Sequence, residues 1–207
     1  MKSTPMQPTR QQLDYLRSIV SAMVDMPDES WALCIEYVTY QQYAKDEYLL
    51  HAGDVADWAY FVHRGVLRQF YTTAEGKEFN KSFSLEGEPC GSFRSSLTRK
   101  SSRLSIQALE PSQVLQIRFQ RLFDLFECDR HWERLGRKAA EYQTLLNEER
   151  EAEFLLDDAT TRYRRFQEQY PGLEQRVAQY HIASYLGITN VALSRIRKKI
   201  MGSINPG

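Results

Sequence analysis

Residues 179–198 read QYHIASYLGITNVALSRIRK, and the placement of small, apolar and glycine residues within them decides how the chain's last segment folds. Ile182 and Leu186 lay an apolar stripe on a short first helix. Ala183 is the small residue that two steeply crossing helices need where they touch. Gly187 supplies the positive φ of a tight turn at little steric penalty. Ile188 then plugs the turn and Thr189 caps a second helix. Leu193, Ile196 and Ile200 recur at i, i+3 and i+7 as that helix's buried face. The pattern predicts a helix-turn-helix.

Burying Leu193 and Ile196 leaves Asn190, Val191, Ser194, Arg195 and Lys198 on the outer face, beside the cap Thr189. In this motif the second helix enters the major groove with its N-terminal residues at base edges. Arg195 has the fork to read guanine, Asn190 can read adenine or hold a phosphate, and Val191 offers an apolar contact for a thymine methyl. Gln179, Arg197, Lys198 and Lys199 suit phosphate contacts, which add affinity without sequence information. An ordinary αα-hairpin with basic decoration is the alternative reading.

Charge bears on the choice. The chain has 27 cationic and 27 anionic residues among 207, so its total charge names no partner. From Thr160 onward, however, Arg162, Arg164, Arg165, Arg176, Arg195, Arg197, Lys198 and Lys199 face only Glu168 and Glu174, the asymmetry of a segment that meets a polyanion or, equally from charge alone, of a solvated helical face. Cys34, Cys90 and Cys128 are far apart and odd in number. They form no zinc or iron–sulfur ligand set and suit a reducing cytoplasm. The opening MKSTPMQPTR lacks the apolar core of a signal peptide, and no stretch approaches the length of a membrane span. The expectation is a cytoplasmic protein with no membrane partner.

Upstream of the motif the texture changes twice. Thr9 with Gln12 has the spacing of a capping box ahead of Leu13, Leu16, Ile19, Val20 and Met23, and Asp28 is placed to cap a second helix to about Tyr37. Short β-rich runs follow from Val38 to Phe119, separated by turn signals such as Gly53-Asp54, Arg64-Gly65, Glu75-Gly76 and Glu86-Gly87, as in a sandwich or barrel. WAYFVH (58–63) and VLRQFY (66–71), joined at Arg64-Gly65, read as a hairpin, and Thr73–Gly76 joins the next pair. After Phe119 the period becomes helical. Trp132, Leu135, Ala139, Tyr142 and Leu146 step by three and four as a narrow seam. That seam is expected to bind a second copy of the chain, with burial against the chain's own sandwich as the other option. A further helix over about Asp158–Gln169 stops at Pro171-Gly172.

The whole order resembles the Crp/Fnr family of bacterial transcription regulators over roughly residues 9–201. The likeness is carried by KDEYLLHAGD (45–54), YFVHRGVLR (60–68), GSFRSSL (91–97), IQALE (106–110) and ASYLGITNVALSRIRK (183–198). It implies an α+β protein: an N-terminal antiparallel β-sandwich (a jelly roll of cyclic-nucleotide-binding type), a long dimer helix and a C-terminal helix-turn-helix. The division is set at residues 1–153 for the sensor with its dimerisation helix and 154–207 for the DNA-binding unit. The resemblance further implies a homodimer on double-stranded DNA with recognition helices about 34 Å apart, Arg195 as a base-reading arginine, RNA polymerase as a partner, and an effector pocket around Gly91, Ser92, Phe93, Ser102 and Arg103. Asn190 and Val191 stand where the family often has arginine and glutamate, so its best-known target sequence does not transfer. Gly91 is followed by Ser92 where nucleotide-binding members carry glutamate, and Arg103 sits one position out of register, which in a strand swaps its face. No cofactor is therefore assigned. A cyclic nucleotide, another small molecule and no ligand all stay open. Met201–Gly207 is too short for the β-hairpin wing of many members.

Two other classes compete. A metal-dependent enzyme on a similar sandwich needs converging histidines, and His51, His63, His131 and His181 form no H-x-H pair; the chain is read as non-enzymatic. A ligand-responsive protein-interaction module without DNA recognition would lack the steep salt dependence of DNA binding.

Overall fold

Two four-stranded antiparallel sheets lie face to face in the computed structural model, which describes residues 5–204 and the side chains of residues 5–200. One sheet runs in the order β1 (Thr39–Tyr43), β8 (Ser112–Arg118), β3 (Trp58–Arg64), β6 (Pro89–Cys90). The other runs β2 (Tyr48–Leu50), β7 (Leu104–Ala108), β4 (Leu67–Thr72), β5 (Glu78–Ser84). Tyr60, Val62, Leu67, Leu104, Ile106, Ala108 and Val114 form one core cluster with residues from both sheets.

The expected pairing of WAYFVH with VLRQFY does not occur: β3 and β4 lie in different sheets. The turn between them carries the chain across the sandwich. Gly65 has φ 111° there, and a Cβ on it would lie 2.3 Å from Ser112 Oγ. Both runs are rich in apolar and aromatic residues, so sequence alone does not say which sheet either joins. The β4–β5 hairpin over Thr73–Gly76 does form.

Helices cover the outer face of the β1-β8-β3-β6 sheet. α1 (Arg10–Met23) begins with the Thr9/Gln12 capping box. α2 (Asp28–Ile35) is preceded by Pro27, and Asp28 is its first residue rather than its cap; its carboxylate binds Arg17. α3 (Phe93–Thr98) is a six-residue helix after β6. α4 (Phe119–Cys128) and α5 (Arg130–Leu156) are separate helices. Asp129 breaks the run and caps α5 by accepting from the N–H groups of His131 and Trp132.

That break redirects the seam. Trp132 and Leu135 are buried with Trp31, Leu115, Phe119 and Leu125 in the chain's own core. Trp132 stacks on Trp31 and donates its Nε1–H to Ser30 O at 2.8 Å. Leu146 is half-buried, and only Ala139 and Tyr142 of the expected seam are exposed. The large apolar side chains α5 leaves in solvent are Tyr142, Leu145 (58% exposed), Phe154, Leu155 and Leu156 (82%). Tyr142, Leu145, Ala152 and Leu156 share a flank about a quarter-turn from the Trp132–Leu135–Leu146 face.

α5 runs three residues past the expected boundary at 153. Asp158 then caps α6 (Ala159–Gln169) through the Thr161 N–H at 2.8 Å. α7 (Gln179–Leu186) and α8 (Asn190–Ile204) follow. This C-terminal group packs on the outer face of the β2-β7-β4-β5 sheet, with Val66, Phe83 and Leu109 of the sandwich joining Tyr163, Phe166, Tyr170, Leu173, Ile182, Tyr185, Leu186 and Leu193 in one cluster. Helix continues through 201–204; residues 1–4 and 205–207 lie outside the described residues, so the expectation of no wing over Met201–Gly207 and the reading of the opening fall partly outside them.

Candidate nucleic-acid interface

The α7–turn–α8 unit is built as its spacing demands. Ile182, Ala183, Leu186 and Leu193 are fully buried, and Ile188, Ile196 and Ile200 pack at the rim of the same cluster. Gly187 takes φ 70° and closes α7, while Ile188 N–H returns to Ala183 O at 3.0 Å, the bond that a left-handed glycine sets up at a helix end. Thr189 Oγ1 accepts from the Ala192 N–H at 3.2 Å, so this hydroxyl is spent on capping.

The outer face of α8 carries what the sequence placed there. Asn190, Val191 (60% exposed), Ser194, Arg195, Lys198 and Lys199 are exposed, as is Gln179 at the start of α7. Arg197 differs: its guanidinium lies 3.8 Å from Glu174 and its side chain is half-buried, so it leans back on its own domain. Tyr180, beside Gln179 and more than half exposed, belongs to the same surface, its ring tilted 42° against that of His181 at a centroid distance of 4.0 Å. Sequence reading passed over it because an aromatic in a short helix reads as core.

The site also has a second, buried side that sequence reading missed. Arg68 of β4, 4% exposed, donates Nε and Nη2 to Gln107 Oε1 (2.8 and 2.6 Å) and Nη1 to Glu78 Oε2 (2.6 Å) and Asn80 Oδ1 (3.3 Å). Asn80 in turn donates Nδ2 to His181 O (2.8 Å) and its backbone N–H to Ser184 Oγ (3.0 Å), while Ser184 Oγ donates to Glu78 O (2.9 Å). The first helix of the motif is thereby bonded to β5. Arg176 adds a second tie, to Glu86 and Glu110. The Arg176 bonds hold Glu86 down at a pKa of about 2. Burial, together with the Arg68 and Lys45 charges, pushes His181 down to about 4, so it is neutral in this arrangement.

The expected effector residues do not converge. Ser92 and Ser102 meet, with their Oγ atoms 3.0 Å apart, and Ser102 Oγ donates to Leu104 O at 2.8 Å. Gly91 lies under Phe119, where a Cβ would come within 2.9 Å of the ring. Phe93 is exposed and turns to Phe119 and Phe123, and Arg103 faces solvent between buried Ser102 and Leu104. Ser95 Oγ is likewise spent, accepting from the Ala56 N–H (3.0 Å) and donating to Lys100 O (2.6 Å). A cyclic phosphate here would meet paired hydroxyls and no buried cation, and Arg68 is committed to the opposite face of its sheet. These residues do not fit a cyclic nucleotide.

Among the described residues, no group of three or more His, Cys, Asp or Glu side chains is placed to hold a metal ion, and no helix is long and apolar enough to cross a membrane.

Residues 40–129 match the cyclic nucleotide-binding domain family. An 81-residue stretch is 37% identical to the transcriptional activator protein Anr of Pseudomonas protegens, which is 39% of this chain and 32% of that protein. The match thus spans about a third of that curated relative's length. Among solved structures, FixK2 from Bradyrhizobium japonicum superposes with a TM-score of 0.70 at 20% identity, covering 80% of this chain and 85% of that one. The c-di-GMP-responsive global regulator CLP of Xanthomonas campestris gives 0.67 at 16%, covering 86% and 93%. At such identities these likenesses speak for the fold. The matched domain, the Anr-like stretch and the sandwich-to-helix-turn-helix architecture thus make residues 40–129 similar to the cyclic nucleotide-binding domain family and the whole chain similar in fold to these regulators.

Proposed function

We propose that this chain is a dimeric, sequence-specific DNA-binding transcription regulator of the cytoplasm, with residues 1–156 as sensor and dimerisation unit and the remainder as the DNA-reading unit. One observation carries the reading: α8 buries Leu193 and presents Asn190, Val191, Ser194 and Arg195 outward from a capped, glycine-closed turn. Arg195 reads a guanine, Asn190 and Val191 read the neighbouring pairs, and Gln179, Lys198 and Lys199 hold phosphates. The Anr relative's activator role and CLP's regulator role support the assignment by analogy.

Dimerisation runs along the exposed flank of α5 through Tyr142, Leu145, Ala152 and Leu156. The sandwich serves as the platform on which the DNA-reading unit is seated. An effector or RNA polymerase acts on this arrangement only through unequal affinity for its conformations.

The test is selection of duplexes from a random pool by the full-length protein, followed by titration of the enriched sequence at several salt concentrations. A near-palindromic site with affinity falling steeply with salt is expected. No enrichment at low ionic strength, or salt-insensitive binding, refutes the reading.

A further inference from the structure

At the C-terminus of α7 four carbonyl oxygens lose their intrahelical partners, and all four are accounted for. Ala183 O and Ser184 O accept from the N–H groups of Ile188 (3.0 Å) and Gly187 (3.3 Å). The other two are taken by arginines from outside the motif. Arg150 of α5 donates Nη2 to Tyr185 O, and Arg162 of α6 donates Nε to Leu186 O at 3.3 Å.

Both arginines are themselves held. The Arg150 guanidinium lies 3.6 Å from the Tyr185 ring centroid and 4.3 Å from that of Phe154, with Glu153 at 3.5 Å. Arg162 donates Nη1 to Asp157 O at 2.6 Å and lies 5.2 Å from the Phe154 centroid. Phe154 rests directly on the turn, since a Cβ at Gly187 would come within 2.9 Å of its Cε1. The turn between α7 and α8 is therefore fastened to the last two turns of α5.

Arg150 sits roughly 140° around α5 from Leu145, away from the exposed apolar flank. One side of the helix faces a second copy in the proposed dimer while the other grips the turn. A guanidinium can donate edge-on to a carbonyl while its face stacks on a ring, and an ammonium cannot do both.

We infer that Arg150 is a positioning residue. With Phe154 and Arg162 it sets the angle of α8 to α5, and so the separation at which two copies meet two half-sites. This rests on the DNA-reading proposal above. A dimer gains from its second half-site only when both recognition helices reach their grooves together.

The experiment uses the full-length wild type, Arg150→Gln and Arg150→Lys. Each is titrated with the duplex selected by wild type, with the same duplex carrying one scrambled half-site, and with duplexes whose half-sites are moved one or two base pairs closer or further. For Arg150→Gln, half-site affinity stays within about twofold, affinity for the full site falls on the order of tenfold, and the spacing preference flattens. Arg150→Lys, which keeps a donor without the planar fork, recovers part of the full-site affinity with a spacing profile between the two. Equal losses on half and full sites, or a wild-type spacing profile in both variants, overturn the inference. If Arg150→Gln does not fold, the Arg150→Lys spacing profile decides alone, a flattened one supporting the inference and a wild-type one overturning it. A wild type that selects no duplex overturns the DNA-reading proposal and this inference with it.

Discussion

Replacing Phe83 by alanine should separate the stability of the two halves of the chain. Phe83 lies on β5, yet it packs with the C-terminal unit: its ring is 6.2 Å from Phe166, 5.5 Å from Tyr170 and 5.6 Å from Tyr185, edge-on to the first two. It is 3% exposed and belongs to neither of the clusters that hold the sandwich together. Truncating a buried phenylalanine costs about 3–5 kcal/mol, and edge-to-face partners add about 0.5–1.5 kcal/mol per pair to what its area supplies. A loss of about 3 kcal/mol is therefore a conservative figure, and it should fall on the docking and the C-terminal cluster.

The assay follows from where the tryptophans lie. Trp31, Trp58 and Trp132 are the chain's three tryptophans, and all sit in the sensor half. Fluorescence thus reports that half alone, while far-UV circular dichroism also reports α6, α7 and α8. In urea the wild-type curves should overlap. In Phe83→Ala the fluorescence midpoint should hold, while part of the dichroism signal moves down by about 2–3 M, taking m near 1 kcal/mol/M for so small a unit. If fluorescence and dichroism shift together by the same amount, Phe83 supports the sandwich and the docking argument fails.

Acid should loosen the same contact. His181 is depressed from 6.5 to about 4 in the docked arrangement, so the released state binds more protons between those values. Docking is then at full strength above pH 6.5 and weakens as pH falls toward 4. His181→Gln should remove that dependence, as read by the pH profile of the dichroism leg, and an unchanged profile in the variant would be contrary to expectation. Arg195→Ala should lose about 1–3 kcal/mol at one base position of the selected site and relax discrimination there; equal losses on all sequences would assign Arg195 to phosphate. Lys198→Gln should leave discrimination intact and reduce the salt slope of the dimer by about 1.8, one phosphate per protomer. Leu145→Glu with Leu156→Glu should give a folded monomer by analytical ultracentrifugation, whereas Leu135→Glu should unfold the sensor half, and a dimer surviving the first pair would move the interface elsewhere.

The C-terminal motif was legible because its constraints are local. Small residue, glycine, cap and apolar steps all act within 22 residues, from Gln179 to Ile200, and the structure places each in its role. The sandwich was legible as strands and turns but not as pairings, since the apolar and aromatic residues of β3 and β4 mark them as strands without saying which sheet they join. The seam on α5 misled for a related reason. A stripe of Trp132, Leu135, Ala139, Tyr142 and Leu146 declares an apolar face but not its partner, and the break at Asp129 that folds Trp132 back onto Trp31 depends on contacts about a hundred residues away. Arg68 and Gln107 are polar residues within strand runs, and both are buried with Asn80 and His181 under α7. No signal within β4 or β7 announces that a distant helix will cover them.

The chemistry of that hidden contact bears on how the protein works. A sheet face meant for permanent burial is most simply made apolar, since a buried network is stabilising only when every member is satisfied. Here the covered face mixes one aromatic anchor, Phe83, with a network in which the Arg68 guanidinium binds Gln107, Glu78 and Asn80 at once. Such a face tolerates water when α7 lifts away, because its cation and amides would be solvated rather than stranded. It also accepts α7 in one register only, fixed by the Asn80 bonds to His181 O and Ser184 Oγ. α7 is thus held from two directions, by β5 at its start and middle and by Arg150 at its end. Any movement of α5 relative to the sandwich must break one of these holds or strain both. Release of the C-terminal unit would leave the strand pairings of the sandwich intact, yet it would expose Val66, Phe83 and Leu109 as well as exchange this polar network for water, so the apolar cluster and the network together hold the docked arrangement.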